Sequence, residues 1–224
     1  MSDHPGPRPP SPVRPGAGGS EGDWMPVAAG ESGAAVFRNA DATRYAKCVP
    51  AAEATALEAE RDRVAWLGDQ GIPGPRVLDW HFGDTGACLV TSAVSGVPAD
   101  QVSAADLQAS WGHIAEAVRR LHELPVSQCP FHRDLDTMIA MARDVVARDA
   151  VNPEFLLAGF LDPGRLGSAD RHADLALLLA NARETWNDEE PARAADAAFA
   201  ETYGIALDHD RLRFYLHLDP LTWG

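Results

Sequence analysis

The sequence predicts an α+β fold in two lobes, a small antiparallel sheet with one helix followed by a mostly helical lobe. Three observations carry this. Short β-forming segments, broken by Gly, Asn and Asp, run from Trp24 to Ser92. One amphipathic helical stretch interrupts them. After Gly96 the apolar residues change to helical spacing. With 224 residues, 46% of them hydrophobic, the chain can bury a core in one or two domains.

The divisions expected are a tail over 1–22, a first lobe over 23–93 and a helical lobe over 94–224. The tail is rich in Pro and Gly, has little to bury and is expected to be disordered. In the first lobe, Trp24–Ala28, Ala35–Arg38 and Thr43–Val49 read as an antiparallel meander. A helix is predicted over Glu53–Asp69, with Leu57, Val64 and Leu67 on one face; Gly71, Pro73 and Pro75 stop it. Strands over Arg76–Phe82 and Ala87–Ser92 flank the turn Gly83-Asp84-Thr85-Gly86. In the second lobe, Ser103-x-x-Asp106 opens a helix carrying Leu107, Trp111, Ile114, Val118 and Leu121. A helix over Asp134–Asp149 should turn Leu135, Met138, Ala142 and Val145 inward. Leu157–Leu161 reads as a short strand, and helices fit 169–182, 188–203 and 210–218.

Composition narrows the partners. A net charge of −14 argues against nucleic acid and anionic membrane, since phosphate contacts need clustered Lys and Arg. It favours a cationic small molecule, which an acidic cleft concentrates. No apolar run reaches the roughly 18 residues that span a bilayer, and no secretory h-region is seen, so the cytoplasm is expected. The three cysteines, Cys48, Cys88 and Cys129, lie far apart with no C-x-x-C. Buried or incidental roles are expected for them, rather than a disulfide framework or a zinc site.

The chemistry concentrates on one residue. Of the 19 basic residues a single one, Lys47, is lysine. A compact ammonium suits phosphate in a way that arginine does not reproduce. Gly30-Glu31-Ser32-Gly33 joins two predicted strands, Lys47 follows in a strand, and Glu60 lies in the next helix. That is the order in which kinases cover phosphates with a Gly turn and aim a strand lysine, held by a helix glutamate, at the nucleotide. The first lobe is therefore expected to be protein-kinase-like. In the second lobe Asp162 ends an apolar strand and precedes Pro163-Gly164, the placement of a kinase magnesium ligand; an ordinary turn is the competing reading. Asp170 and Asp174 stand one helical turn apart, readable as helix capping or as a buried structural or site pair. His132-Arg133-Asp134-Leu135 spells H-R-D-L, but Ile139 stands where that signature needs Asn. Asp134 is read as a helix N-cap, and it is the one visible candidate for a replacement base.

Longer strings bear a resemblance. Glu60-Arg61-Asp62-Arg63-x-x-Trp66-Leu67, Gly86-Ala87-Cys88-Leu89-Val90-Thr91, Asn152-Pro153-Glu154-Phe155-Leu156, Gly164-Arg165-Leu166-Gly167-x-Ala169-Asp170-Arg171 and Leu218-Asp219-Pro220-Leu221-Thr222-Trp223-Gly224 resemble the aminoglycoside phosphotransferases, most closely those acting at the 3''-position of streptomycin. The resemblance covers Trp24 to the C-terminus. It implies ATP and Mg²⁺ as cofactors and a streptomycin-like cationic aminoglycoside as substrate. It also implies that Gly30, Ser32 and Gly33 cover the phosphates, that Lys47 contacts them and that Glu60 orients Lys47. Adenine would lie against Thr91, Ser92 and Ala93, and Asp162 would bind Mg²⁺. Asp188, Glu189 and Glu190 are acidic candidates for the drug, with a solvated charged face as the competing reading.

One departure cuts across this. The family carries an H-G-D-x-x-x-x-N loop between the N-P-x-F-L string and the metal-binding aspartate. Here Phe155-Leu156 runs directly into Leu157, and no H-G-D occurs anywhere. The helical lobe is thus expected to be incomplete near 156–157. Loss of the hydroxyl-orienting carboxylate cripples phosphoryl transfer even where ATP binds. The resemblance implies an antibiotic kinase. The departure implies a non-catalytic nucleotide- or drug-binding remnant, or an unstable deletion product.

Overall fold

The computed structural model describes residues 24–27, 34–98, 101–148, 167–186 and 188–222. The expected tail over 1–22, the Gly30–Gly33 turn, the strand at Leu157–Leu161, Asp162 and the junction at 156–157 lie outside them. The chain divides after Ser95 into two compact units.

The first unit is a five-stranded sheet with one helix. Its strands are β1 (Met25–Pro26), β2 (Ala35–Arg38), β3 (Arg44–Pro50), β4 (Val77–Gly83) and β5 (Gly86–Ser92). They lie in the order β1-β2-β3-β5-β4, every pair antiparallel. The helix α1 (Ala54–Asp69) follows a 3-10 turn over Ala51–Glu53. The alternation of β3 sorts its side chains onto two faces. Val49, with Ala87 and Leu89 of β5, packs against Ala54 and Leu57 of α1. Ala46 and Cys48 face the other way, with Phe37, Cys88 and Val90. Burying a side chain such as Leu57 or Leu89 contributes about 1.5–3 kcal/mol. Of the predicted inward face of α1, Leu57 and Val64 are buried and Leu67 is half-buried.

The cysteines correct the sequence expectation. Cys48 and Cys88 form a disulfide, with sulfurs 2.07 Å apart, and Cys129 alone is free. The pair is 40 residues apart in sequence, yet the register of β3 and β5 sets the two directly opposite. Linear spacing gave no sign of this.

The second unit contains α2 (Ala104–His122), α3 (Leu135–Ala147), α4 (Arg171–Arg183), α5 (Glu189–Tyr203) and α6 (His209–Leu218), with a closing 3-10 turn over Asp219–Thr222. Leu107 and Trp111 of α2 pack with Leu175 and Leu179 of α4 and with Phe199 and Tyr203 of α5. The buried indole N–H of Trp111 donates to the Ala195 carbonyl at 2.8 Å, so its polar edge is satisfied. Met138 of α3 joins Ala173, Ala176 and Tyr215 in a second cluster. Met138, Ala142 and Val145 face inward as expected; Leu135, in the first turn of α3, is instead 39% exposed. No helix among the described residues is long and apolar enough to cross a membrane.

Side-chain caps start four of these helices. Ser103 accepts the Asp106 N–H, Asp134 that of Thr137, Asp170 that of His172, and Asp208 those of Asp210 and Arg211. The Thr137 N–H holds the Asp134 carboxyl below its ordinary value, and the Arg211 N–H does the same for Asp208. For Asp170, burial pushes upward but is outweighed by the N–H and ring of His172 and by Arg211, leaving the carboxyl lowered. Carboxylates depressed on folding contribute stability above their unfolded pKa of about 4 and lose it as pH falls through the folded value. We therefore predict that the denaturation midpoint drops steadily below about pH 4, and that Asp170→Asn lowers it at neutral pH while flattening the acid decline. Urea titrations across this range measure both.

Candidate functional site

Strand β3 and helix α1 place the only lysine of the chain. Lys47 shares the α1-facing side of β3 with Val49 but lies beyond the helix's apolar cover. Its Nζ donates to Glu60 Oε2 at 2.7 Å. The two side chains are 23% and 15% exposed, so the pair is sheltered yet reachable. Sequence order and the resemblance together pointed to this partnership, and the structure brings the two together. A sheltered ion pair fixes the direction of the ammonium.

The end of β5 is tied into its own unit. The Ser92 N–H donates to the Arg76 carbonyl at 2.9 Å, and the Ser92 hydroxyl accepts the Arg76 N–H at 2.9 Å. The Ala93 N–H donates to the Thr43 carbonyl at 2.8 Å. Both amides are thus engaged within the unit, tying the end of β5 to the start of β3 and to the segment before β4. Val94 supplies the next amide along.

The sequence reading did not single out Tyr45. It sits two residues before Lys47 on β3, hence on the same face, and lies directly opposite Thr91. An aromatic two positions before a strand lysine was the available signal.

In the second unit, the H-R-D-L string leads into α3. Asp134 caps α3, and its depressed pKa leaves a weak base. His132 forms a parallel bridge with Ser168, and the Arg133 N–H donates to the Ser168 carbonyl at 3.2 Å. A Cβ at Gly167 would stand 2.8 Å from the Arg133 nitrogen, so only glycine fits there. The Arg133 guanidinium reaches Asp219 at 2.5 Å and Asp174 at 3.5 Å. Asp174 also meets His122 Nε2 at 3.0 Å, whose Nδ1 lies 2.7 Å from the Tyr203 hydroxyl. Asp170 binds His172, Arg211 and, at 3.4 Å, the Tyr215 hydroxyl. The two aspartates tolerate one another because each has its own cationic partner. Glu189 pairs with Arg193 across one exposed turn, so the acidic run at the start of α5 is a solvated face at that residue. Among the described residues no three His, Cys, Asp or Glu cluster as a metal site.

A strand lysine held by a helix glutamate over an antiparallel sheet defines the nucleotide lobe of a kinase-type phosphotransferase. Residues 23–157 match the profile of the phosphotransferase enzyme family APH, and the chain belongs to that family. It is 59% identical over 275 aligned positions to the streptomycin 3''-kinase of Streptomyces griseus, covering all of both chains. The alignment exceeds the 224 residues of this chain, so the relative carries sequence with no counterpart here. An aminoglycoside 3'-phosphotransferase of Streptomyces fradiae is 35% identical, covering 88% of this chain and 94% of its own. Among solved structures, the aminoglycoside phosphotransferase APH(3'')-Id of Streptomyces rimosus superposes with a TM-score of 0.85 at 52% identity, covering 92% of this chain and 94% of that one. The same enzyme is known in complex with ADP and streptomycin, and that structure superposes with a TM-score of 0.84.

Two outcomes are expected at this site. Lys47→Met should weaken ATP binding about 10- to 100-fold, the value of a charge-assisted hydrogen bond. Tyr45→Ala should weaken it about 2- to 10-fold, the value of an aromatic stacking contact. Titration with a fluorescent ATP analogue reads both.

Proposed function

We propose that this chain binds Mg-ATP on the α1-facing side of its sheet and directs the γ-phosphoryl group to the 3''-hydroxyl of streptomycin, in the cytoplasm. The Lys47–Glu60 pair carries the reading: its 2.7 Å contact holds an ammonium where a kinase needs one. In this reading Lys47 meets phosphate oxygens, Tyr45 lies against adenine, and the adenine edge is read one residue past Ala93, at the Val94 amide. Gly30, Ser32 and Gly33 cover the phosphates. Asp162 holds Mg²⁺, whose contribution is to neutralise charge on the phosphates. The similarity to a streptomycin 3''-kinase and to an enzyme captured with ADP and streptomycin supports the choice of substrate. The net charge of −14 suits its guanidinium groups.

A second reading, nucleotide binding without turnover, is favoured by one observation. No H-G-D string is present, and Asp134 is committed to capping α3. Without a carboxylate to orient the drug hydroxyl, the phosphoryl group has an acceptor out of line. The deciding experiment is ADP release from Mg-ATP with and without streptomycin, on protein showing a cooperative unfolding transition. Release that depends on the drug and vanishes in Lys47→Met supports the kinase. ATP binding with no drug-dependent ADP supports the second reading. Failure of folded protein to bind ATP overturns both.

A further inference from the structure

The strand order leaves β4 at one edge of the sheet, and among the described residues nothing pairs with its outer side. Its side chains invite pairing: Leu78 is 48% exposed and Phe82 70% exposed. An open, apolar edge strand is a template for another strand. Two features oppose this. The register slips between Val77 and Asp79, a bulge that bends the edge. Moreover, the Trp80 N–H is not spent on the ladder: Asp79 Oδ1 accepts it at 2.8 Å, so this donor is turned to the open side and closed there by a side chain. Asp79 Oδ2 is held in turn by His81 Nε2, also at 2.8 Å. Arg61 of α1 lies over the Trp80 ring, 4.8 Å from its centre, which keeps the strand seated on its own sheet.

The sequence of β4 also says which strand would fit if that cap lifted. Paired antiparallel with itself about Trp80, Leu78 falls opposite Phe82, and Asp79 falls opposite His81. Apolar meets apolar, and the Asp79–His81 contact within one strand is exchanged for two between strands. A two-fold pairing of this kind is closed, so it stops at two copies. We propose that the Asp79 carboxylate is a latch on the β4 edge, and that the partner it excludes is the same strand of a second copy of this chain. With the latch in place the chain stays apart from its copies. With the latch removed, β4 adds to β4 and the two sheets become one.

The test is sedimentation velocity on the full chain at increasing concentration. Asp79→Ala should show a concentration-dependent dimer where the unmodified protein is monomeric. Asp79→Thr, which keeps a strand-favouring residue at this exposed position, should do the same, and guards against a variant that fails to fold. Asp79→Asn retains an oxygen for the Trp80 N–H and should stay monomeric, as should His81→Ala. Adding Phe82→Lys to Asp79→Ala should return it to monomer. Folded Asp79→Ala and Asp79→Thr that remain monomeric at every concentration overturn the proposal. So does a dimer that persists with Phe82→Lys, because the contact would then lie elsewhere.

Discussion

The nucleotide unit is organised around keeping one ammonium in place. Lysine has a long, flexible stem, and its charge is useful only where its direction is fixed. Glu60 fixes it, but Glu60 can do so only if α1 sits at a set height on the sheet. That height comes from Leu57 and Ala54 packed on Val49, Ala87 and Leu89. The apolar contact and the ion pair are thus one arrangement: the first sets the geometry and the second uses it. The ties from Ser92 to Arg76 and from Ala93 to Thr43 extend the same rigidity to the end of β5.

The helical unit solves a different problem, holding buried carboxylates without net repulsion. Asp174 lies between His122 and Arg133, and Asp219 takes the other side of the same guanidinium. Asp196, 7% exposed, is met by Arg183. Breaking one partner of such a pair strands a charge, which costs far more than the pair contributes. Arg133 therefore acts as a strap joining α4, the C-terminal turn and the stretch at Gly167-Ser168.

Much of this was legible from residue order. Period-two segments placed β2 to β5 and helical spacing placed α1 to α6 within a residue or two, because those patterns follow from backbone geometry. Lys47 and Glu60 were readable because kinase chemistry needs them in that order. In the H-R-D-L string, Asp134 caps α3 as its position at a helix start led one to expect, and Arg133 before it is the strap. The rest depended on register, which linear sequence does not display. Cys48 faces Cys88 only because β3 and β5 align as they do. Tyr45 faces Thr91 for the same reason. Leu135 was expected inward by spacing, but a first-turn residue can escape the face that the next turns bury.

The cross-strand disulfide has a consequence for the chain before it folds. The segment it closes off, between cysteines 40 positions apart, contains the whole of α1 and β4, and Lys47 lies one residue outside the ring. Closing a loop of that size removes about 4 kcal/mol of conformational freedom from the denatured chain in the chain-entropy account. Under oxidising conditions, then, β3 and β5 stay joined at one point, with α1 and β4 held in the ring between them. The pairing of these two strands becomes a search about that point, and the first unit carries a memory of its own topology even when its sheet has come apart.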